Sequence, residues 1–203
     1  KGYRHWSHDI GEEDTPYHAG LGFAVALNKA GGFIGREALL QHAQVVRIAN
    51  GAVDRRAAPA SPNDAELLFM GPFRYAPNQI GIRAFIEQAW PAVRAALPAA
   101  RLTILGGPEA AREAGAAWLQ APGIELIDRF VDPAPYLARA SLTINPQLAI
   151  RGSALKVIES LLAARVCVST AEGARGFAGA GLAGLRTVDT VAAMAPAVVE
   201  LLQ

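Results

Sequence analysis

The chain has 203 residues, 52% of them hydrophobic and 18% charged, with a formal net charge of +1. That balance belongs to a globular protein, excludes a disordered one, and argues against a nucleic-acid partner, because such binders carry a basic excess. No apolar run reaches the roughly 18 residues of a spanning helix, and the single cysteine, Cys167, excludes an internal disulfide framework and fits a reducing, cytoplasmic setting.

The start, Lys1-Gly2-Tyr3-Arg4-His5-Trp6, is polar and aromatic and reads as no secretory signal. It lacks an initiating Met, which suggests a fragment or a processed chain. All four histidines, His5, His8, His18 and His42, stand in this first stretch, whereas the rest is dense in Ala, Leu, Val and Pro. So sharp a break in composition suggests two modules, with residues 1–42 as the first and 43–65 as a linker to a domain at 66–203. Residues 21–27 alternate as one strand would, and Gly35-Arg36-Glu37-Ala38 opens a short helix. A segment this small, without a disulfide, buries too little surface to fold alone and is expected to dock on the rest or stay loose. His5, His8, Asp9 and His18 invite a metal reading. Nothing in their spacing fixes a geometry, and no Cys or second ligand pair stands at finger spacing.

From Ala65 onward the pattern becomes regular. Leu67-Leu68-Phe69-Met70 reads as an apolar strand closed by Gly71-Pro72. A helix opened by Pro77-Asn78 follows, with Ile82, Phe85, Ile86, Ala89 and Trp90 on one face. Residues 101–105 form the next strand and 109–119 a helix with Pro108 in its first turn. Residues 124–127 are a third strand, 135–140 a short helix, 141–144 a fourth strand and 153–163 a helix. Residues 166–169 make a fifth strand with Cys167 buried in it, 185–188 a sixth, and 189–202 a terminal Ala-rich helix. Apolar strands alternating with helices define an α/β domain with a parallel sheet covered on both faces, which right-handed crossovers wind into a Rossmann-like, doubly wound sheet.

Ligands of such sheets bind at the carboxyl ends of the strands. Three loops fall there: residues 71–78, 128–132 and 145–159. In the last, Gly152 allows a tight turn and Ser153 is a plausible N-cap. The free amides of the first helical turn, around Ser153 and Ala154, favour an anion such as a diphosphate, and Lys156 brings an ammonium to the same place. Glu159, on the same face, offers a carboxylate to a ribose diol. The plainer alternative is a capping Ser153 with Lys156 and Glu159 as a solvated surface pair. Ser153-Ala154-Leu155-Lys156 also fits the S-x-x-K signature of penicillin-binding enzymes, but the companion S-D-N and K-T-G elements are absent.

Several motifs, in order, resemble one family. Leu68-Phe69-Met70-Gly71-Pro72-Phe73-Arg74-Tyr75-Ala76-Pro77-Asn78 is similar to the opening of the C-terminal domain in group 1, family 4-like glycosyltransferases, a strand followed by G-x-x-x-x-x-P-N. Upstream, Val45-Val46-Arg47-Ile48-Ala49-Asn50-Gly51-Ala52-Val53-Asp54 resembles the family's interdomain v-i-x-N-G-V-D segment with one extra residue. Phe130-Val131-Asp132 with Pro135-Tyr136-Leu137 is similar to G-x-V-x-D-x-x-x-Y-L, and Gly152 to Ser160 to the signature G-x-x-x-K-x-x-E-A. Ser169-Thr170 with Gly173-Ala174-Arg175-Gly176 matches the closing V-s-T-x-x-G-x-x-G turn. The resemblance implies one half of a GT-B enzyme, with Glu159 on the nucleotide ribose and with Lys156 and the amides around Gly152, Ser153 and Ala154 on the diphosphate. It places Gly71, Arg74, Asn78, Arg129, Phe130 and Arg151 in the donor-site loops. Three departures stand out. Arg151 occupies the position of a family Glu that contacts the donor sugar. Arg129, and Ala164-Arg165 before the fifth strand, stand where the family has Gly.

The first module resembles another family. Lys1 to Ile10, Glu13-Asp14-Thr15-Pro16-Tyr17-His18-Ala19-Gly20-Leu21 and Gly32-Phe33-Ile34-Gly35-Arg36-Glu37-Ala38-Leu39 are similar to the folate-binding aminomethyltransferase module of glycine cleavage T-proteins and of dimethylglycine and sarcosine dehydrogenases. In that family the segment follows a folate-contacting Glu, which would precede Lys1. The expectation is therefore a chimera joined near residues 40–44. It binds a UDP- or GDP-sugar and requires no cofactor or metal. As the donor half of a retaining, metal-independent glycosyltransferase it lacks its N-terminal acceptor domain, so it is expected to be inactive alone. A non-catalytic interaction module, self-associating as a homo-oligomer, and a tetrahydrofolate-dependent one-carbon transferase remain as alternatives.

Overall fold

The structure is a computed structural model that describes residues 29–37, 64–113, 115–149, 154–177 and 181–203. The chain divides into two compact units, Lys1–Ala49 and Asn50–Gln203. In the first unit the described residues form a turn, in which the Gly32 amide donates to the Lys29 carbonyl at 3.0 Å, followed by a helical start at Arg36 and Glu37. Gly31 and Gly32 have φ of 81° and 67°, a left-handed path that other residues resist. The strand expected at 21–27, the four histidines and the junction near 40–44 lie outside the described residues.

The second unit is built on six strands: β1 (Glu66–Met70), β2 (Arg101–Leu105), β3 (Ile124–Ile127), β4 (Leu142–Asn145), β5 (Val166–Thr170) and β6 (Leu185–Val188). They form one sheet in the order β3-β2-β1-β4-β5-β6, with every neighbouring pair parallel. This is the Rossmann-like, doubly wound sheet expected from the sequence. The chain builds outward from β1 to β3, then returns to the other side of β1 and builds outward again. Strand order thus reverses between β1 and β4, and the loops leaving those two strands part there, opening a crevice at their carboxyl ends.

The helices are α1 (Ala76–Gln88), α2 (Trp90–Ala96), α3 (Ala134–Arg139), α4 (Leu155–Leu162) and α5 (Met194–Leu202). Alternate β1 residues serve opposite faces of the sheet. Leu67 and Phe69 join Ile82 and Phe85 of α1, Trp90 and Val93 of α2 and Val198 of α5 in one cluster. Leu68 and Met70 join Leu137 of α3 and Ala163 beyond α4 in another. Cover on both sides explains why β1 reads as an unbroken apolar run.

Three elements differ from the sequence reading. The helix expected to run through Trp90 is two, because Ala89 turns to φ −115° and Pro91 falls in the first turn of α2. A proline ring there would strike the carbonyl a turn earlier in a continuous helix, whereas at a helix start its missing N–H costs nothing. Residues 109–119 form two short 3-10 turns, Pro108–Glu113 and Ala117–Gln120, not one α-helix. Gly115 interrupts them, and the large apolar residues Trp118 and Leu119 sit at one end, leaving only Ala110 to bury at the other. The last helix begins at Met194, after a turn in which the Ala193 amide donates to the Thr190 hydroxyl at 3.2 Å. Among the described residues no helix is long and apolar enough to cross a membrane.

Candidate functional site

The position of α4 governs the crevice. Its buried face rests Val157 on Cys167 of β5, and the Ser160 hydroxyl accepts from Thr143 Oγ1 of β4 at 2.8 Å while donating to the Lys156 carbonyl at 2.7 Å. The first turn, with Lys156 and Glu159, is thereby pinned above the carboxyl end of β4. Cys167 is fully enclosed, and burial pushes its thiol up to about 11, so it stays protonated. The N-cap expected at Ser153 falls instead on Ala154, which has no side-chain cap; the turn closes through the backbone, Val157 N to Ala154 O at 3.0 Å. Helix α4 starts at Leu155, two residues later than the periodicity indicated. Arg151, Gly152 and Ser153 lie outside the described residues.

Lys156 is turned inward. Its Nζ donates to Asn78 Oδ1 at 2.8 Å, and the same oxygen accepts from Gln147 Nε2 at 2.9 Å. Asn78 Nδ2 in turn donates to the Pro72 carbonyl at 2.9 Å. Asn78 and Gln147 are 3% and 1% exposed, so a residue of α1, the loop after β4 and the loop after β1 meet in one buried knot beneath the lysine. Burial lowers the Lys156 pKa to about 8, with the charge of Glu159 opposing the shift. Among the described residues no ion pair joins Lys156 to Glu159.

A cleft of about 290 Å³ opens above this knot, lined by Gly71 and Pro72 after β1, Gly107 after β2, Arg129 and Phe130 after β3, and Lys156 and Glu159 of α4. A Cβ on Gly71 would come within 2.6 Å of the Phe69 ring and 2.9 Å of Asn78 Cγ, so only glycine lets β1 end this close to α1. Arg74 reaches across the mouth, its guanidinium carbon 5.9 Å from the centroid of the Phe130 ring, which is 67% exposed. Of the residues singled out in the sequence, the fold brings Gly71, Arg129, Phe130, Lys156 and Glu159 to this cleft, sets Arg74 beside Phe130, and places Asn78 under Lys156.

Two contributors escaped sequence reasoning, Gln147 and Gly107. Gln147 is held on β5 by a hydrogen bond from Thr170 Oγ1 to its carbonyl, and its Oε1 is buried with no hydrogen-bond partner among the described residues. The one signal for it was its place just past β4, in a loop at the carboxyl end of an apolar strand.

An all-parallel six-stranded sheet covered on both faces, its strand order reversing between β1 and β4, defines a Rossmann-like α/β domain. Residues 64–203 match the family described as Glycosyl transferases group 1, and the chain belongs to that family. Among solved structures, TarM superposes with a TM-score of 0.54 at 16% identity, over 71% of this chain and 30% of TarM. WaaG, a glycosyltransferase involved in lipopolysaccharide biosynthesis, gives a TM-score of 0.49 at 12% identity over 70% of this chain and 39% of WaaG. The resemblance to the folate-module family stated for residues 1–42 is supported by short matches. A stretch of 41 residues is 56% identical to 4-methylaminobutanoate oxidase (formaldehyde-forming) of Paenarthrobacter nicotinovorans, covering 20% of this chain and 5% of that protein. Another match of 41 residues is 51% identical to mitochondrial sarcosine dehydrogenase of Homo sapiens, covering 4% of it. The chain thus spans a small fraction of the length of these relatives.

Proposed function

We propose that this chain is the donor half of a retaining, metal-independent glycosyltransferase and binds a nucleotide-diphosphate sugar, UDP- or GDP-linked, in the cleft at the end of β1. The observation that carries the reading is the placement of Lys156 and Glu159 on one face of α4 at the reversal of strand order. With a pKa of about 8 Lys156 still carries its charge at neutral pH, and in this reading it faces a diphosphate laid along the first turn of α4. Glu159 accepts the ribose hydroxyls, and the amides around Gly152, Ser153 and Ala154 complete the phosphate contacts. Arg129, Phe130 and Arg74 border the outer end of the cleft, where the base and sugar extend, and Arg151 stands where relatives place a sugar-binding Glu. The acceptor is held by a separate N-terminal Rossmann domain in this reading, because transfer needs both partners fixed at reacting distance. Residues 1–42 and 43–65 act as an appended segment and a linker, and no one-carbon chemistry is assigned to them.

Calorimetric titration with UDP and with GDP tests the proposal, comparing the wild type with Lys156→Ala and Glu159→Ala. Saturable binding is expected for one nucleotide, weakened about tenfold or more in each variant, the loss of a charge-assisted hydrogen bond. Absence of binding at any accessible concentration would overturn it and leave the domain as a non-catalytic interaction module, for which the oligomeric state of a chain lacking residues 1–42 is the next measurement.

A further inference from the structure

Lys156 is held by an amide oxygen and not by a carboxylate among the described residues. Its Nζ donates to Asn78 Oδ1 at 2.8 Å, and that amide has no freedom to turn: Gln147 Nε2 donates to the same oxygen at 2.9 Å and the Pro72 carbonyl takes its Nδ2 at 2.9 Å. If the amide flipped, both Lys156 and Gln147 would face an N–H and the Pro72 carbonyl would face an oxygen, so three contacts would be lost together. Gly81, one turn further along α1, packs so closely on the Pro146 carbonyl that it has no room for a Cβ, and this keeps Asn78 in register with the loop after β4. The groups that face Lys156 electrostatically are Glu159 on its own helix and Cys167 on β5, with Arg129 across the same cleft.

We infer that Asn78 is a positioning residue: locked between Gln147 and Pro72, it orients the Lys156 ammonium over the cleft while leaving its charge unneutralised for an anionic ligand. A carboxylate in the same place would hold the lysine equally well but would compete with phosphate for it. The ligand class, a diphosphate, rests on the functional reading given above; the positioning of Lys156 by Asn78 does not.

The experiment uses the full chain, whose only lysines are Lys1, Lys29 and Lys156, so that the Lys156 side-chain signal is readily assigned by NMR through its loss in Lys156→Arg. In the ligand-free protein Asn78→Asp is expected to raise the midpoint of the Lys156 titration by about one pH unit or more, through the new charge beside it. Asn78→Ser, too short to reach, is expected to lower it. Inorganic pyrophosphate binding should weaken about tenfold in both variants, in the first because the lysine is neutralised and in the second because it is no longer aimed. An unmoved Lys156 titration in a folded Asn78 variant would overturn the inference and leave Asn78 with a structural role only. Wild-type protein that binds neither pyrophosphate nor UDP or GDP would sink the nucleotide reading instead, while the ligand-free titration still decides the role of Asn78.

Discussion

Lys156 and Ala164 carry opposite kinds of local cost. For Lys156 the folded-state pKa of about 8 lies below the ordinary 10.5, so between those values the unfolded chain binds more protons than the native one. Stability therefore rises with pH through that window, and below pH 8 the buried charge is fully present as a penalty. Cys167 acts in the other direction above its ordinary 9.0, because its folded thiol holds its proton up to about 11. The clean interval is pH 8 to 9, where urea unfolding midpoints are expected to rise in the wild type and stay flat in Lys156→Met. Nucleotide affinity should run the opposite way, falling as pH passes 8 and the free ammonium is lost, with proton uptake on binding detectable by calorimetry in buffers of different ionisation enthalpy. Ala164 sits at φ 54°, a left-handed conformation that strains any residue with a Cβ. Ala164→Gly should stabilise the fold by about 1 kcal/mol, after allowing for the greater freedom of glycine in the unfolded chain, as read by thermal or urea unfolding.

Short elements here are held by side chains from elsewhere. Helix α3 has six residues, too few to stand by itself, and its terminal carbonyls need partners. Arg165, at the start of β5 and 1% exposed, supplies them: Nε donates to the Leu137 carbonyl at 2.8 Å and Nη2 to the Ala138 carbonyl at 2.9 Å. Burial lowers its pKa, and the fork of donors is what makes the buried cation tolerable. Arg165→Ala should cost about 3 kcal/mol in chemical denaturation, because the carbonyls are left buried and unmet. Arg165→Lys should recover only part of that, since a single ammonium cannot match the fork. On the sheet's other half, Arg139 of α3 bridges Glu66 at 2.7 Å and Glu125 at 3.1 Å, tying β1 to β3 across β2. In sequence the Ala164-Arg165 pair was legible only as a departure from a glycine. That the arginine caps a helix elsewhere in the chain could not be read, because the spacing between them carries no periodic signal.

At the scale of the whole molecule the six strands, their parallel pairing and both apolar faces were legible, since buried strands and amphipathic helices imprint period and composition on the chain. The failures were local: Pro91 dividing one helix into two, residues 108–120 settling as 3-10 turns, and the last helix starting at Met194. Lys156, Glu159 and Asn78 were legible as candidates through motif order, but the knot joining Asn78 to Gln147 and Lys156 was not, for its members come from three separated segments. On the proposed donor-half reading, this polypeptide by itself is expected to bind nucleotide yet show no sugar transfer above the uncatalysed rate, because transfer needs donor and acceptor fixed at reacting distance. Assays with candidate acceptors check this, and turnover by the isolated chain would refute it.

The sequence by itself determined the fold class and the family, because alternation of apolar strands and helices and the ordered motifs along residues 64–203 are properties of the linear chain. Tertiary structure alone decided which residues share a cleft, which way Lys156 turns, and that an amide holds it. Those facts depend on strand order, and strand order is fixed by packing between segments far apart in the chain, where each side of β1 finds a different partner.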